Sequence, residues 1–265
     1  MIRILVLGHT GMLGNTVVRY FSALPGQYRV DTINDRWDTD AFKHKVKNAG
    51  ANFIINCIGA IPQKHAKEPS LYQKLNIDLP IFLESIGIPV IHPSTDCEFS
   101  GQLPIGERYR KEDLRDAEDA YGKSKAMISE MIERKFMNTK IMRVSIIGHE
   151  TSGTSVSLLE WVLASSGSVK GYTDHYWNGM TTLEWSKQCA RLIDHWGSMP
   201  VLNQYGTKQV ENKYELVQLI AEVYRHDLIV EPYDTKQNVN KCLESDIEIP
   251  SIRTQLEELR RFYKR

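Results

Sequence analysis

The chain has 265 residues, of which 42% are hydrophobic and 25% are charged, and this composition excludes an intrinsically disordered protein. Lys and Arg (33) balance Asp and Glu (33) without long runs of one sign, so neither nucleic acid nor a membrane is an expected partner. The four cysteines form no C-x-x-C pair, so no metal site or disulfide framework is predicted, and a cytoplasmic location with reduced thiols is expected.

Short apolar runs alternate with amphipathic segments through the first half of the chain. The runs that we predict to be strands are residues 4–7, 28–33, 53–55, 88–91 and 141–144. Segments with helical periodicity lie between them, at residues 12–21, 71–83 and 124–132. Parallel strands that are joined by crossover helices explain this alternation. We therefore predict an α/β fold with a doubly wound parallel sheet of the Rossmann type.

The second half of the chain has a different character. After about residue 145 the alternation weakens and Trp, Tyr, Gly and Ser become frequent. We predict a dinucleotide-binding domain at residues 1–145 and, mainly from residues 146–265, a smaller C-terminal substrate-binding lobe with segments that return to the sheet. Helical periodicity recurs at 214–223 and 253–262.

A glycine turn follows the first predicted strand. Gly8, Gly11 and Gly14 have the spacing G-x-x-G-x-x-G and lead into a predicted helix. Such glycines permit a tight turn, the approach of a pyrophosphate to bare backbone and close packing of helix on strand. The helix N-terminus adds free N–H groups, so we predict a dinucleotide site that includes Met12 and Leu13. A plain strand-to-helix connection is the alternative, which the position at the start of the chain disfavours.

The end of the second predicted strand selects between the two nicotinamide cofactors. An acidic residue there favours the ribose 2′-hydroxyl of NAD, whereas a basic one accommodates the 2′-phosphate of NADP. Asn34, Asp35 and Arg36 follow this strand, so both cofactors remain open, and a solvated turn is an equal alternative. NADP(H) is slightly favoured.

Three residues have the character of a catalytic group. Tyr121 and Lys125 are four residues apart on one face of a predicted helix. A nearby ammonium stabilises phenolate, so Lys125 would lower the pKa of Tyr121 from about 10 and suit it to proton transfer. Thr95 follows a predicted strand, where ligands bind in open α/β sheets, and could donate to a substrate carbonyl. A Ser/Thr turn that caps the strand is the alternative for Thr95.

These motifs together resemble the extended short-chain dehydrogenase/reductases and, among them, the dTDP-4-dehydrorhamnose reductases. The resemblance covers most of the chain and also rests on segments 56–60, 75–77 and 143–145. It implies NAD(P)H-dependent reduction of the 4-keto group of a nucleotide-activated 6-deoxy sugar, with the proton supplied by Tyr121. Lys125 would hold the nicotinamide ribose, and Thr95 would hydrogen-bond the keto oxygen.

The residues and the resemblance together predict further contacts and an assembly. The expected cofactor contacts, besides the glycine turn, Tyr121 and Lys125, are Asn34, Arg36, Asp38, Thr39, Cys57, Ile58 and Gly59. The expected nucleotide-sugar contacts are Thr95, Asp96, Cys97, Trp177 and Asn178. A homodimer is also expected.

The chain departs from the family pattern at several positions. Ile146 stands where the family usually has Trp, the D-Q-x-G-x-P-T stretch is replaced at 174–182, and the lobe is shorter. Related 4,6-dehydratases have Glu directly after Thr-Asp, where this chain has Cys97. A nucleotide-sugar epimerase and a non-catalytic dinucleotide-binding regulatory subunit remain alternatives.

Overall fold

The computed structural model describes residues 1–151 and 156–265. The chain divides into two compact units. The sheet unit comprises residues 1–94, 119–142 and 186–203, and the lobe unit comprises residues 95–118, 143–185 and 204–265. The assignment of residues 1–145 to dinucleotide binding and of 146–265 mainly to substrate binding stays a prediction.

The strands are β1 (Ile2–Leu7), β2 (Tyr28–Thr32), β3 (Phe53–Asn56), β4 (Val90–Ser94), β5 (Thr139–Arg143), β6 (Ile146–Ile147), β7 (Ser168–Tyr172), β8 (His175–Trp177), β9 (Met180–Thr181), β10 (Leu202–Gln204), β11 (Glu211–Asn212), β12 (Ile229–Tyr233) and β13 (Val239–Asn240). The α-helices are α1 (Met12–Ser22), α2 (Asp40–Lys47), α3 (Pro62–His65), α4 (Leu79–Glu84), α5 (Ala120–Lys135), α6 (Leu158–Ala164), α7 (Thr182–Asp194), α8 (Lys213–Tyr224) and α9 (Ile252–Tyr263).

A six-stranded parallel sheet has the strand order β10-β5-β4-β3-β1-β2. β1 pairs in parallel with both β2 and β3, and β3 pairs in parallel with β4. The strand order therefore reverses between β1 and β3, and in such sheets ligands bind outside the carboxyl ends of the strands at this point. The prediction of a doubly wound, Rossmann-type α/β fold is confirmed.

Burial explains why β1 shows no alternation of apolar and polar residues. Ile4, Leu5, Val6 and Leu7 are each at most 1% exposed, as expected for a parallel strand that is covered on both faces. A cluster of buried side chains on neighbouring elements packs with Leu5 and Leu7. Its members are Phe42, Val46, Ile54, Leu79, Leu83 and Val90.

The segment at residues 71–83, which was predicted as one helix, consists of two different helical elements. A π-helical turn at Tyr72–Asp78 precedes α4, in which Pro80 occupies the first turn. Because proline has no N–H and its ring crowds the carbonyl four residues earlier, a regular α-helix cannot continue through it without distortion. The wider π-turn relieves this conflict and includes the buried Asn76.

In the lobe unit, β8 lies between β11 and β13, β12 pairs with β7, and β6 pairs with β9. The helices predicted at 214–223 and 253–262 are confirmed as α8 and α9. Their buried faces include Leu216, Ile220, Leu256 and Leu259, each fully buried. Among the residues that the structure describes, no helix has the length and apolar character needed to span a bilayer.

Candidate active site

The glycine turn after β1 is tightly packed against the end of β3. Gly8 has φ +77°, and a Cβ atom there would lie 2.9 Å from the carbonyl carbon and oxygen of Cys57. A Cβ atom on Gly14 would lie 2.3 Å from the Gly8 oxygen, so both positions require glycine. Gly11 precedes Met12 as the N-cap of α1, and a glycine cap leaves the first N–H groups of the helix without a side-chain acceptor. The turn is therefore shaped for an anionic group such as a pyrophosphate.

One polar atom of this turn lacks a partner. The Nδ1 atom of His9 is buried and makes no hydrogen bond to the residues that the structure describes. A buried polar atom without a partner is costly, so a ligand contact is a good explanation of its position. His9 was not among the predicted site residues, because a lone histidine beside a glycine turn has no distinctive spacing.

The residues after β2 differ in the contacts and the exposure of their side chains. The carboxylate of Asp35 accepts a hydrogen bond from Lys45 at 2.6 Å, and this bond lowers the pKa of Asp35. Arg36 is 84% exposed, with its Nε atom 3.9 Å from a carboxylate oxygen of Asp38. The hydroxyl of Thr39 caps α2. The acidic residue is thus paired, whereas the basic residue extends into solvent.

Lys125 is buried at the carboxyl end of β4. Its side chain is almost fully covered, and its Nζ atom donates to the carbonyl oxygen of Pro93 at 2.6 Å and lies 3.2 Å from Nε2 of His92. Ser94 and Ser129 form a 3.2 Å hydroxyl contact that ties α5 to β4. The sheet unit therefore places Lys125, on the same helical face as Tyr121, at the carboxyl end of a central strand.

The loop after β3 is held by Asn76. The side-chain oxygen of Asn76 accepts from the Ala60 N–H at 2.8 Å, and its Nδ2 atom donates to the Ala60 carbonyl at 3.1 Å and to Ser124 at 2.9 Å. The bonds connect the π-turn, the loop and α5, which carries Tyr121. Burial raises the pKa of the neighbouring Cys57 thiol, so this cysteine is suited to packing rather than to nucleophilic chemistry.

Thr95 begins the lobe unit, directly after β4. Its hydroxyl accepts from the Cys97 N–H at 3.1 Å and donates to Asp96 at 3.0 Å. The turn that the sequence left open as an alternative is therefore present, as the cap of a 3-10 turn at Asp96–Glu98. Donation to a substrate oxygen requires that the Thr95 proton leaves Asp96.

A buried ion-pair network anchors this turn. One carboxylate oxygen of Glu98 lies 2.7 Å from Arg115 and 2.7 Å from Arg143. The side chains of Glu98 and Arg143 are fully buried, and Arg143 also donates to Gln204 at 2.8 Å. The network connects the turn after Thr95 to the start of the second half of the chain. This network was not predicted, because its members are far apart in the chain.

Trp177 and Asn178 are both buried in the lobe unit. The indole N–H of Trp177 donates to Ser145 at 2.9 Å, and the Nζ atom of Lys213 lies 5.4 Å from the centre of the ring. Asn178 accepts from the Leu243 N–H at 2.9 Å and donates to the Leu243 carbonyl at 2.8 Å. These contacts give both residues structural roles, and their contact with substrate stays a prediction.

Lys213 adds a cation to the predicted substrate residues. Burial lowers its pKa, while the nearby Asp96, Cys97 and Cys242 act in the opposite direction. Glu211, which pairs with Trp177 across β11 and β8, has a buried carboxylate oxygen without a hydrogen bond among the described residues. Burial, followed by the charge of Glu215, raises the pKa of Glu211 to about 7.

Comparison with known proteins settles the family. Residues 2–246 match the family model of the RmlD substrate binding domain. The chain belongs to the RmlD family. The resemblance that was inferred from its motifs is thus confirmed.

Solved structures share the fold of this RmlD-family chain. A dTDP-4-dehydrorhamnose reductase from Clostridium acetobutylicum is 20% identical, with full coverage of both chains and a TM-score of 0.81. The Bacillus anthracis dTDP-4-dehydrorhamnose reductase, in complex with NADP, is 18% identical over 100% of this chain and 99% of that chain, with a TM-score of 0.82. RMD from Pseudomonas aeruginosa, complexed with NADPH, is 12% identical over 100% and 99%, with a TM-score of 0.77.

One further relative is named as a subunit of a methionine adenosyltransferase. The methionine adenosyltransferase 2 subunit beta of Bos taurus is 24% identical over an alignment 163 residues long, which covers 55% of this chain and 47% of that protein. The match thus spans about half the length of the relative.

Proposed function

We propose that this RmlD-family chain reduces the 4-keto group of a nucleotide-activated 6-deoxy sugar with NAD(P)H. The observation that carries the proposal is the placement of Lys125 at the carboxyl end of β4, on the helical face that also holds Tyr121, in a sheet whose first turn is a glycine cradle. Solved structures of the same fold include dTDP-4-dehydrorhamnose reductases, which supports this substrate class.

The residues of the sheet unit fit a dinucleotide. The space that a Cβ atom would fill at Gly8 and Gly14 and the N-terminus of α1 suit a pyrophosphate. When bound, the nicotinamide supplies the hydride. NADP(H) is the proposed cofactor, because Asp35 is paired with Lys45 while the exposed Arg36 is available for a 2′-phosphate. The variant Arg36→Ser should raise KM for NADPH and leave KM for NADH unchanged.

Tyr121 is the proposed proton donor. As hydride adds to the keto carbon, the phenolic proton passes to the keto oxygen, which becomes the product hydroxyl, and the phenolate later regains a proton from solvent. The amine of Lys125 stabilises the phenolate and holds the nicotinamide ribose. Thr95 donates a hydrogen bond to the keto oxygen after its proton leaves Asp96.

The substrate residues are proposed to lie in the lobe unit, where Lys213 joins Asp96, Cys97 and Trp177. The variant Lys213→Met should raise KM for the nucleotide sugar about tenfold or more, because a hydrogen bond to a charged group is lost. Lys170→Met is the matched control, since Lys170 lies 4.3 Å from the Tyr233 ring on a strand outside the proposed site. Equal KM values for the two variants would remove Lys213 from the substrate site.

The deciding experiment follows NADPH and NADH oxidation by absorbance with dTDP-, UDP-, GDP- and CDP-linked 4-keto-6-deoxy sugars. Tyr121→Phe removes only the phenolic hydroxyl, so kcat should fall about a hundredfold or more while cofactor affinity is kept. Turnover that survives this change would exclude Tyr121 as the proton donor.

The second candidate function is that of a non-catalytic dinucleotide-binding subunit. The observation in its favour is the partial match to a protein named as a subunit of methionine adenosyltransferase. If the protein without substitutions binds NADPH but oxidises it with none of these sugars, this second candidate is supported.

A homodimer in the cytoplasm completes the proposal. Ile81 on α4 is 40% exposed and Met127 on α5 is 53% exposed, and apolar helix faces of this kind suit a contact between two copies. Sedimentation equilibrium of the parent and of Met127→Glu tests this assembly.

A further inference from the structure

His92 is a buried histidine that the proposed mechanism does not use. It lies in β4, is 1% exposed, and has a polar neighbour at each ring nitrogen. Nε2 lies 3.2 Å from the Nζ atom of Lys125, and Nδ1 lies 3.3 Å from the side-chain Nδ2 atom of Asn56. The ring therefore connects the end of β3 to the amine on α5.

We propose that His92 is a positioning residue for the reductase reaction, and that its Nε2 atom holds the Lys125 amine in the orientation that serves Tyr121 and the cofactor ribose. This inference rests on the proposed function. Two fixed groups, Nε2 of His92 and the carbonyl of Pro93, contact the amine from the same strand. A long lysine side chain has many rotamers, so two fixed contacts restrict the amine to a small part of the space it could otherwise reach.

The ionisation of His92 agrees with this role. Burial, followed by the charge of Lys125, holds the pKa of His92 well below its usual range, so the ring is neutral at pH 7. Titratable side chains on the surrounding segments include Tyr121 on α5, Tyr72 on the π-turn with Asp119 near it, and Cys57 after β3 with Cys189 near it. Tyr72 lies 6.1 Å from Tyr121 between ring centres.

The neutral ring also links Lys125 to Asn56. An ammonium only donates hydrogen bonds, so a charged Lys125 requires Nε2 as acceptor and places the ring proton on Nδ1, beside Asn56. The side-chain oxygen of Asn56 accepts from the Ile58 N–H at 3.1 Å, so the contacts of the ring extend from the Lys125 amine through Asn56 to the backbone of Ile58, a proposed cofactor contact.

Three substitutions separate positioning through Nε2 from a packing role. His92→Phe keeps a ring and removes both nitrogens. In histidine replacements, the amide of Gln reaches approximately the Nε2 position, whereas the shorter amide of Asn reaches approximately Nδ1. His92→Gln should thus keep a polar partner for Lys125, whereas His92→Asn should keep a polar partner for Asn56 but not for Lys125. A packing role predicts no such distinction between the two amides.

The measurements are kcat and KM with NADPH and a reducible keto sugar, the pH profile of kcat, and NADPH affinity by fluorescence titration. We expect kcat to fall about tenfold to a hundredfold in His92→Phe and His92→Asn, with little change in KM for the sugar, because a hydrogen bond to a charged group is lost. The alkaline fall of kcat should begin at lower pH in these two variants, since a buried ammonium with fewer acceptors loses its proton more readily. His92→Gln should restore most of kcat and the parental profile.

NADPH affinity separates this inference from the reductase proposal, because it requires no turnover. Weaker binding in His92→Phe and His92→Asn, restored in His92→Gln, supports the positioning role even if no sugar is reduced. Thermal unfolding of each variant reports whether it is folded. Equal behaviour of the Gln and Asn variants in both kcat and affinity would overturn the proposal.

Discussion

The buried carboxylate of Glu98 should be a major contributor to the stability of the lobe unit. The variant Glu98→Gln keeps the shape of the side chain and removes its charge. Arg115 and Arg143 both lie 2.7 Å from the same Glu98 oxygen, and the side chains of Glu98 and Arg143 are fully buried. The substitution therefore removes the carboxylate charge that faces both guanidinium groups.

The expected magnitude follows from this burial. Breaking a buried ion pair by removal of one partner costs about 3–5 kcal/mol, and the glutamine oxygen retains one acceptor, so we expect a loss of about 3 kcal/mol in the free energy of unfolding. This is a large part of the total of about 5–15 kcal/mol that is typical of folded proteins. Glu98 also ends the turn that Thr95 caps, so kcat should fall in the same variant.

Urea unfolding at pH 7, followed by tryptophan fluorescence, measures this loss. Glu244→Gln is the matched control, because Glu244 pairs with Arg110 at 3.5 Å with both side chains more than half exposed. An exposed pair contributes about 1 kcal/mol or less. If Glu98→Gln cost no more than Glu244→Gln, the reasoning from burial would be refuted.

Two further predictions concern the glycine turn and Glu211. Gly14→Ala should abolish NADPH binding in a fluorescence titration, since its Cβ atom would lie 2.3 Å from the Gly8 oxygen, whereas Gly197→Ala, with no atom within 4 Å of the added Cβ, should bind normally. Normal binding by Gly14→Ala would contradict the pyrophosphate cradle. The pKa of Glu211 is raised to about 7 in the folded protein, so its contribution to stability is full below the unfolded value near 4.5 and is lost as pH rises through 7. Glu211→Gln should remove this pH dependence, so between pH 5 and 8 its free energy of unfolding should rise by about 2–3 kcal/mol relative to that of the unsubstituted protein. If the urea midpoints of the two proteins changed with pH in the same way, the prediction would be contradicted.

Much of the architecture could be predicted because it depends on short stretches of chain. The apolar run of β1, the glycine turn and α1 follow one another, and each is specified by residues that are close in sequence. Tyr121 and Lys125 share a helical face because a separation of four residues is slightly more than one turn of an α-helix. These local rules were sufficient for the doubly wound fold and for the selection of both residues.

The tertiary structure decided which distant residues meet. His92 contacts Lys125 across 33 positions, and Arg143 joins Glu98 across 45, distances at which periodicity and spacing carry no information. A histidine or glutamate has the same local sequence signal whether it is exposed or buried against a cation. Its partner and its pKa depend on the packing of separate strands and helices, which only the complete fold determines.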